Sequence, residues 1–323
     1  MTNNPPVDHG GAPTICVGCC STNIDQVESV SAEDLASAWV ESGSHDVAGE
    51  AVRAYVLADL GRERIAFWLC RECGLEFAQP MNSWTNEHYP AEKHSLGYDH
   101  QLALAELANT PSLRILEIGC ADGQFLEKAS SLGHETTGID FSEEDVVAAK
   151  ARGVDAHLGD IGDVGKVISG QFDLIALFQV IEHLPEPSRV FTEILKIVEP
   201  GAVVMIGCPS PLRYSRLYNH HERIGRSDFW DYPPQHLLRW TSESLVSFLE
   251  RFNFQTERID YEPLSILGAT AHLTALQGLR SNWYGKRGRR RLATLAWLAR
   301  LTADRLAQRS TGIRLFVKAR LRS

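Results

Sequence analysis

The chain has 323 residues, 44% of them hydrophobic, with 32 Lys and Arg against 41 Asp and Glu for a formal net charge of −9. That apolar content supplies a folded globular core, and the net acidity removes any general attraction to nucleic acid or anionic lipid, so such partners must be met by local patches. No apolar run approaches the ~20 residues of a membrane span, and MTNNPPVDHGGAPT lacks the basic start and apolar stretch of a secretory signal, which makes a soluble cytoplasmic protein the expectation.

Residues 1–14, rich in Pro, Asn and Gly, read as a disordered leader. A cysteine-bracketed module follows over 15–80. Cys16-Val-Gly-Cys19 and Cys70-Arg-Glu-Cys73 have the spacing that lets two thiolates of one tight turn reach a tetrahedral zinc, and two such turns make one closed structural site. Cys20 competes with Cys19 as a ligand. The stretch between the pairs is longer than a minimal zinc ribbon and must hold a small fold of its own, with a helix-like run at 32–40 and a strand-like run, IAFWL, at 65–69. Residues 81–112 carry Trp84, His88, Tyr89, His94, Tyr98 and His100 before a helical LALAELAN, and read as a connector and cap.

From Leu113 the pattern alternates strands and helices: RILEIG, a helix over 122–132, ETTGID, a helix over 142–152, VDAHLGD, FDLIALF, a helix over 186–198, then AVVMIG. Five such repeats imply a mainly parallel sheet with helices on both faces. A long loop, 209–240, carries Pro, Gly and aromatic residues and reads as irregular and functional. A helix over 241–251 and strands at FQTERIDY and IRLFVKAR complete a seven-stranded, Rossmann-like α/β sheet. A helical insertion, 264–310, lies within the 113–323 domain before the last strand.

The first strand ends in Glu117 and runs into Gly119-Cys120-Ala121-Asp122-Gly123, where glycine lets backbone approach a ligand and the following helix offers unpaired N–H groups. Ala121 and Asp122 interrupt the G-x-G-x-x-G register of a dinucleotide fingerprint. The second strand ends in Asp140, followed by Phe141, placing a carboxylate where two ribose hydroxyls can be accepted. The third ends in Gly159-Asp160-Ile161, with Asp160 positioned for an adenine amino group and Ile161 for the ring. LEIGCADGQFLE, GIDFSEE, LGDI and FDLIALFQVIEHLPEP together resemble the class I S-adenosylmethionine-dependent methyltransferases over about 113–210. The resemblance implies S-adenosylmethionine as cofactor, with Glu117 and Gly119 at its methionine end, Asp140 on the ribose, Asp160 near adenine, and Phe178 and Gln179 lining the pocket. It also pairs Tyr89 and Tyr98 with the aromatic residues that close over the cofactor in related enzymes.

Methyl transfer to a hydroxyl needs the acceptor aligned and its proton removed. His183, after the fourth strand, sits at the carboxyl edge where open α/β sheets bind ligands. Glu182 beside it either orients that imidazole or joins it as a metal ligand, a reading weakened by Gln179 where a further carboxylate would be needed. His236, in Tyr232-Pro-Pro-Gln-His236, is the second candidate base, its alternative being a structural histidine packed near Trp240. His220 and His221 read as solvated. The N-terminal cysteine pair before such a core is similar to sugar-modifying C-methyltransferases and other methylases of natural-product and surface-glycan pathways, which favours a small molecule or glycan as acceptor. Those C-methyltransferases usually carry a further C-terminal domain not seen in this sequence, so O-methylation is the expected reaction. An RNA methyltransferase and a non-catalytic scaffold are the alternatives. Net acidity and the lack of an Asn/Asp-Pro-Pro-Tyr loop stand against RNA. Nine Lys and Arg over 279–309 face only Asp304, a patch suited to a peripheral membrane, a phosphorylated ligand or mere solvation. Oligomeric state leaves no mark in the sequence.

Overall fold

The computed structural model describes residues 12–42, 49–84, 95–213, 229–265 and 311–322, with Ala299 and Ala303 between the last two. Residues 1–11 of the leader, Tyr89, His220, His221 and the nine basic residues of 279–309 therefore lie outside the described residues.

Two sheets organise the chain. The larger has seven strands: β4 (Arg114–Ile118), β5 (Glu135–Asp140), β6 (Asp155–Leu158), β7 (Phe172–Phe178), β8 (Val198–Pro209), β10 (Phe254–Tyr261) and β11 (Arg314–Leu321). Their order is β10-β11-β8-β7-β4-β5-β6. The pairs among β4 to β8 are parallel, while β11 runs antiparallel between β8 and β10. This is the expected Rossmann-like, mainly parallel α/β sheet. The strand order reverses between β4 and β7, the switch point at which such sheets open a crevice.

Strand side chains alternate faces, and the core divides accordingly. Ile115, Leu174, Ala176, Phe178, Met205 and Phe316 pack on one side with helices α3 (Tyr98–Leu107), α4 (Gln124–Ser131) and α5 (Glu143–Ala151). Leu116, Ile118, Ile175, Leu177, Val204, Ile206 and Val317 pack on the other with α6 (Val164–Val167), α7 (Pro187–Ile194) and α8 (Ser242–Arg251). Burial on both faces explains why runs such as LIALF are continuously apolar. Helix starts are capped as their sequences suggest: Ser142 accepts from the Asp145 amide at 3.2 Å, and Thr241 and Ser244 form a reciprocal box.

The smaller sheet is antiparallel, in the order β1-β2-β3-β9, from β1 (Ile24–Ser31), β2 (Arg64–Cys70), β3 (Glu76–Gln79) and β9 (Leu238–Arg239). Two helices, α1 (Ala32–Ser42) and α2 (Gly49–Leu60), connect β1 to β2 and bury Leu35, Trp39, Val52, Val56 and Leu60. The 209–240 stretch is thus not wholly irregular. Its β9 completes this sheet, and Tyr232 joins the module's core with Phe229 and Trp230 packed against it. Cys16, Cys70, Cys73 and Phe77 belong to the same core as the large sheet.

Phe191 on α7 is fully buried against Phe248, Phe252 and Phe254, with ring centroids 4.9–6.2 Å apart. Phe191→Ala should lower unfolding free energy by about 3–5 kcal/mol in urea titrations. A loss below about 1 kcal/mol would show that this cluster does not hold α7 to the sheet.

Candidate active site

A cavity of about 770 Å³ opens at the carboxyl ends of β4, β5, β6 and β7. The loop after β4 enters it through Gly119, whose φ of +75° and whose approach to Val180, 2.4 Å from where a Cβ would stand, exclude other residues. Ala121 adopts φ +46° without being glycine. It is held there by Asp140, whose Oδ2 accepts from the Ala121 amide while Oδ1 accepts from Ser142, both at 2.9 Å. Gly123, with φ +78°, lets α4 start against Ala149 of α5. Asp160 accepts from the Gly162 amide at 2.6 Å, and Asp122 pairs with Arg152 at 2.9 Å.

The cavity is lined by Glu117, Gly119, Cys120 and Asp122 from the first loop, Asp140 and Phe141 from the second, Asp160 and Ile161 from the third, and Phe178, Gln179 and His183 after β7. Gly123 is structural, and Tyr98 is not among the lining residues. Its hydroxyl instead feels burial and the charges of Asp260, Arg258 and Glu262, which on balance push its pKa up. His100, two residues further along α3, lines the cavity, its ring 4.5 Å from that of Phe178.

Two carboxylates beneath the cavity behave oppositely. Glu117 is buried, and its Oε2 has no hydrogen-bond partner among the described residues. Burial, reinforced by Asp140, Asp99 and Asp122, pushes its carboxyl well above the usual range. Asp99 is fully buried too, and burial opposes its charge. Bonds from His100 at 3.0 Å and Gln179 at 2.9 Å, with Arg314 at 3.3 Å, outweigh that and hold it below its ordinary value. Gly207 leaves the space Asp99 occupies, and Gln179 takes φ +58° to reach it. The sequence carries no local signal for Asp99 or Arg314, because their meeting depends on β11 inserting beside β8.

His183 and His236 come together edge to face, with ring centroids 5.0 Å apart. His183 Nδ1 donates to the Gln235 carbonyl at 2.5 Å, and its Nε2 lies 3.9 Å from Glu182, a residue 1% exposed in its side chain. Burial, with His236 beside it, pushes the His183 imidazole down to about 3, so it is neutral at physiological pH. His236 turns Nδ1 toward Asp231 at 3.6 Å. Burial opposes the charge of Asp231, but paired Arg213 and nearby His236 and Arg239 hold it far below the carboxylate range. Trp84 donates to the Gln235 side chain at 2.7 Å. Asp231 and Gln235 therefore belong to this site, although their own sequence context does not mark them.

Cys16, Cys19, Cys70 and Cys73 also converge, with their sulfurs all within 4.8 Å of one another, at 3.7 Å for Cys16–Cys73 and 3.4 Å for Cys19–Cys70. A hydrogen bond from the Cys16 thiol holds Cys73 below the ordinary thiol range. Cys20 points elsewhere, its sulfur 3.1 Å from the Arg251 guanidinium.

The profile of a family described as "Methyltransferase domain" matches residues 91–259, more than half of the chain. A ubiquinone biosynthesis O-methyltransferase of Xanthomonas oryzae pv. oryzae (strain PXO99A) is 27% identical over 141 residues, covering 41% of this chain and 58% of that protein. One from Dechloromonas aromatica (strain RCB) is 31% identical over 99 residues, covering 29% of this chain and 43% of the relative. The match thus spans less than two thirds of these relatives' length. Among solved structures, an S-adenosylmethionine dependent methyltransferase from Mesorhizobium loti superposes with a TM-score of 0.46 at 19% identity, covering 69% of this chain and 98% of that one.

Because the folded Glu117 keeps its proton at pH values where the unfolded side chain has lost it, wild-type stability should fall relative to Glu117→Gln as pH rises above about 4.3, levelling off above the raised folded value. Urea titrations of both proteins from pH 4 to 8 measure this, and parallel profiles would refute it.

Proposed function

The chain belongs to the methyltransferase-domain family, and from that premise we propose that it is an S-adenosylmethionine-dependent methyltransferase acting on a hydroxyl of a small molecule or glycan. The observation that carries the cofactor reading is Glu117, a buried carboxylate oxygen without a partner among the described residues, in the wall of a cavity large enough for a nucleoside ligand. An ammonium group, such as that of a methionine moiety, satisfies such an oxygen. Gly119 and Cys120 would flank that end, Asp140 would accept from ribose hydroxyls through lone pairs left over from its two amide bonds, and Asp160, Ile161 and Phe141 would bracket an adenine. Phe178 and Gln179 would close the pocket floor. The cofactor, when bound, supplies an electrophilic methyl group on a sulfonium.

The remaining task falls to the chain's own residues: to hold the acceptor, exclude water and remove a proton. Ser83, Trp84, Leu184 and Pro234 give the outer cavity an apolar, aromatic wall beside His183. The acceptor hydroxyl would lie against the His183–His236 pair, which Glu182, Gln235 and Asp231 hold in place. The printed names of the curated relatives, O-methyltransferases, support a hydroxyl acceptor. The four-cysteine cluster fits structural zinc, since a tetrahedral site with Zn–S bonds of about 2.3 Å has sulfurs about 3.8 Å apart, close to the separations here. Its four donors leave no open position, so its role is to staple the 15–80 module.

Calorimetry should show S-adenosylmethionine binding, weakened at least ~10-fold by Asp140→Ala through loss of charge-assisted hydrogen bonds; absence of binding to the folded protein would end the reading. His183→Ala should leave that affinity near normal and lower turnover at least ~100-fold. Elemental analysis should find one zinc per chain, lost in the Cys70→Ser/Cys73→Ser double variant, and a metal-free wild type would remove the zinc assignment.

A further inference from the structure

Outside the cysteine cluster, a second set of ligating side chains converges around His183, which lines the cavity. Glu182 and His183 sit on the short turn after β7, and His236 arrives from the 229–240 segment. One ligand atom of each lies within 4.8 Å of the other two. The protonation of both rings is fixed from behind. His183 Nδ1 faces a carbonyl oxygen, which only accepts, so Nδ1 carries the proton and Nε2 a lone pair. His236 Nδ1 faces Asp231, kept ionised by Arg213, so the same tautomer is favoured there. A carbonyl or carboxylate behind each imidazole is the arrangement that orients histidine toward a metal.

We propose that Glu182, His183 and His236 bind a first-row divalent cation at the acceptor end of the cavity. Two nitrogen donors and one carboxylate suit Mn²⁺, Fe²⁺, Co²⁺ or Zn²⁺, whereas Mg²⁺ and Ca²⁺ prefer oxygen donors throughout. The ligand atoms, 3.9 Å apart for His183 Nε2 and Glu182 and all within 4.8 Å, must draw in to reach the separations of about 3.0–3.4 Å that metal–ligand bonds of about 2.1 Å set. Three protein ligands leave coordination positions open, and His183 lines the cavity, so an acceptor oxygen can complete the shell. Gln179 turns its amide nitrogen to Asp99, and the three ligands are Glu182, His183 and His236.

The role of the cation rests on the methyltransferase reading. Coordination forms an oxygen–metal bond as the acceptor O–H bond breaks, and the proton leaves to water; the metal keeps its oxidation state and no oxidant is consumed. The histidines then hold the cation in place of storing the proton.

The test uses full-length protein whose cysteine-cluster zinc has been counted, titrated with Mn²⁺ and followed by calorimetry and electron paramagnetic resonance. The expected result is one Mn²⁺ per chain, with nitrogen couplings from imidazole in the pulsed spectrum. His236→Ala, and separately the near-isosteric Glu182→Gln, should weaken Mn²⁺ binding at least ~10-fold, and Asp231→Asn ~10–100-fold, without loss of the cluster zinc. No bound Mn²⁺, bound Mn²⁺ without nitrogen coupling, or wild-type affinity in both ligand variants would overturn the site. S-adenosylmethionine binding without Mn²⁺ binding sinks this proposal and leaves the methyltransferase reading intact; the opposite outcome supports the metal site and removes the reading of what it does.

Discussion

A single buried guanidinium, that of Arg239 on β9, ties the small antiparallel sheet to the 229–240 segment that borders the cavity. Its side chain is 3% exposed, pairs with Glu28 at 3.0 Å and Glu76 at 3.1 Å, and stacks 3.6 Å over the Phe67 ring. Its Nε donates to the Asp231 carbonyl at 3.1 Å, while Tyr232 donates to Glu28 at 2.5 Å. A charge taken out of water must keep all of its partners, because losing one leaves another buried and unpaired. Satisfying Arg239 requires β1, β3 and the 229–240 segment to be in register at once. That segment then carries Asp231, Gln235 and His236 to defined places, and Trp240 donates to the Ile181 carbonyl beside the His183 turn. The cysteine module is therefore a structural support of the 229–240 segment, joined to it by charge as well as by apolar packing.

The floor of the cavity follows a different electrostatic logic. Asp99, Glu117 and Asp140 crowd one region of low dielectric, and the protein supplies enough donors for only part of their demand. Asp140 is occupied by two backbone amides, and Asp99 by His100, Gln179 and Arg314. Glu117 is left in excess. An arrangement of this kind lowers stability by itself, as is common where a fold departs from its own packing rules.

The parts of the fold set by burial on both faces were legible in the chain. FDLIALF, ETTGID and FQTERIDY each became strands at nearly their expected bounds, and the acids ending the parallel strands reached one cavity. The cysteine spacing likewise foretold the cluster. What escaped was structure made by distant partners. β1, IDQVESVS, is a largely polar strand with only Val30 fully buried, so no alternation marks it. β9 has two residues and exists because β3 offers an edge. Helix α2 was missed although Val52, Val56 and Leu60 recur at helical spacing, its Gly49 start having none of the usual cap residues. Tyr98 was expected at the cofactor; of the two residues on α3, it is His100 that lines the cavity.

The place of β11 has a kinetic corollary. Residues 314–321 pair with residues 203–209 on one side and 254–261 on the other, so the sheet is completed by the segment of it made last. Until residue 321 is available, β8 presents an unpaired apolar edge and β10 has no neighbour. Arg314 is also absent from its place beside Asp99. Contacts so remote in sequence form slowly, and an exposed strand edge in the meantime invites association with other chains. During synthesis the protein therefore passes through a stage in which the first parallel strands are paired while the crevice between them still lacks one wall.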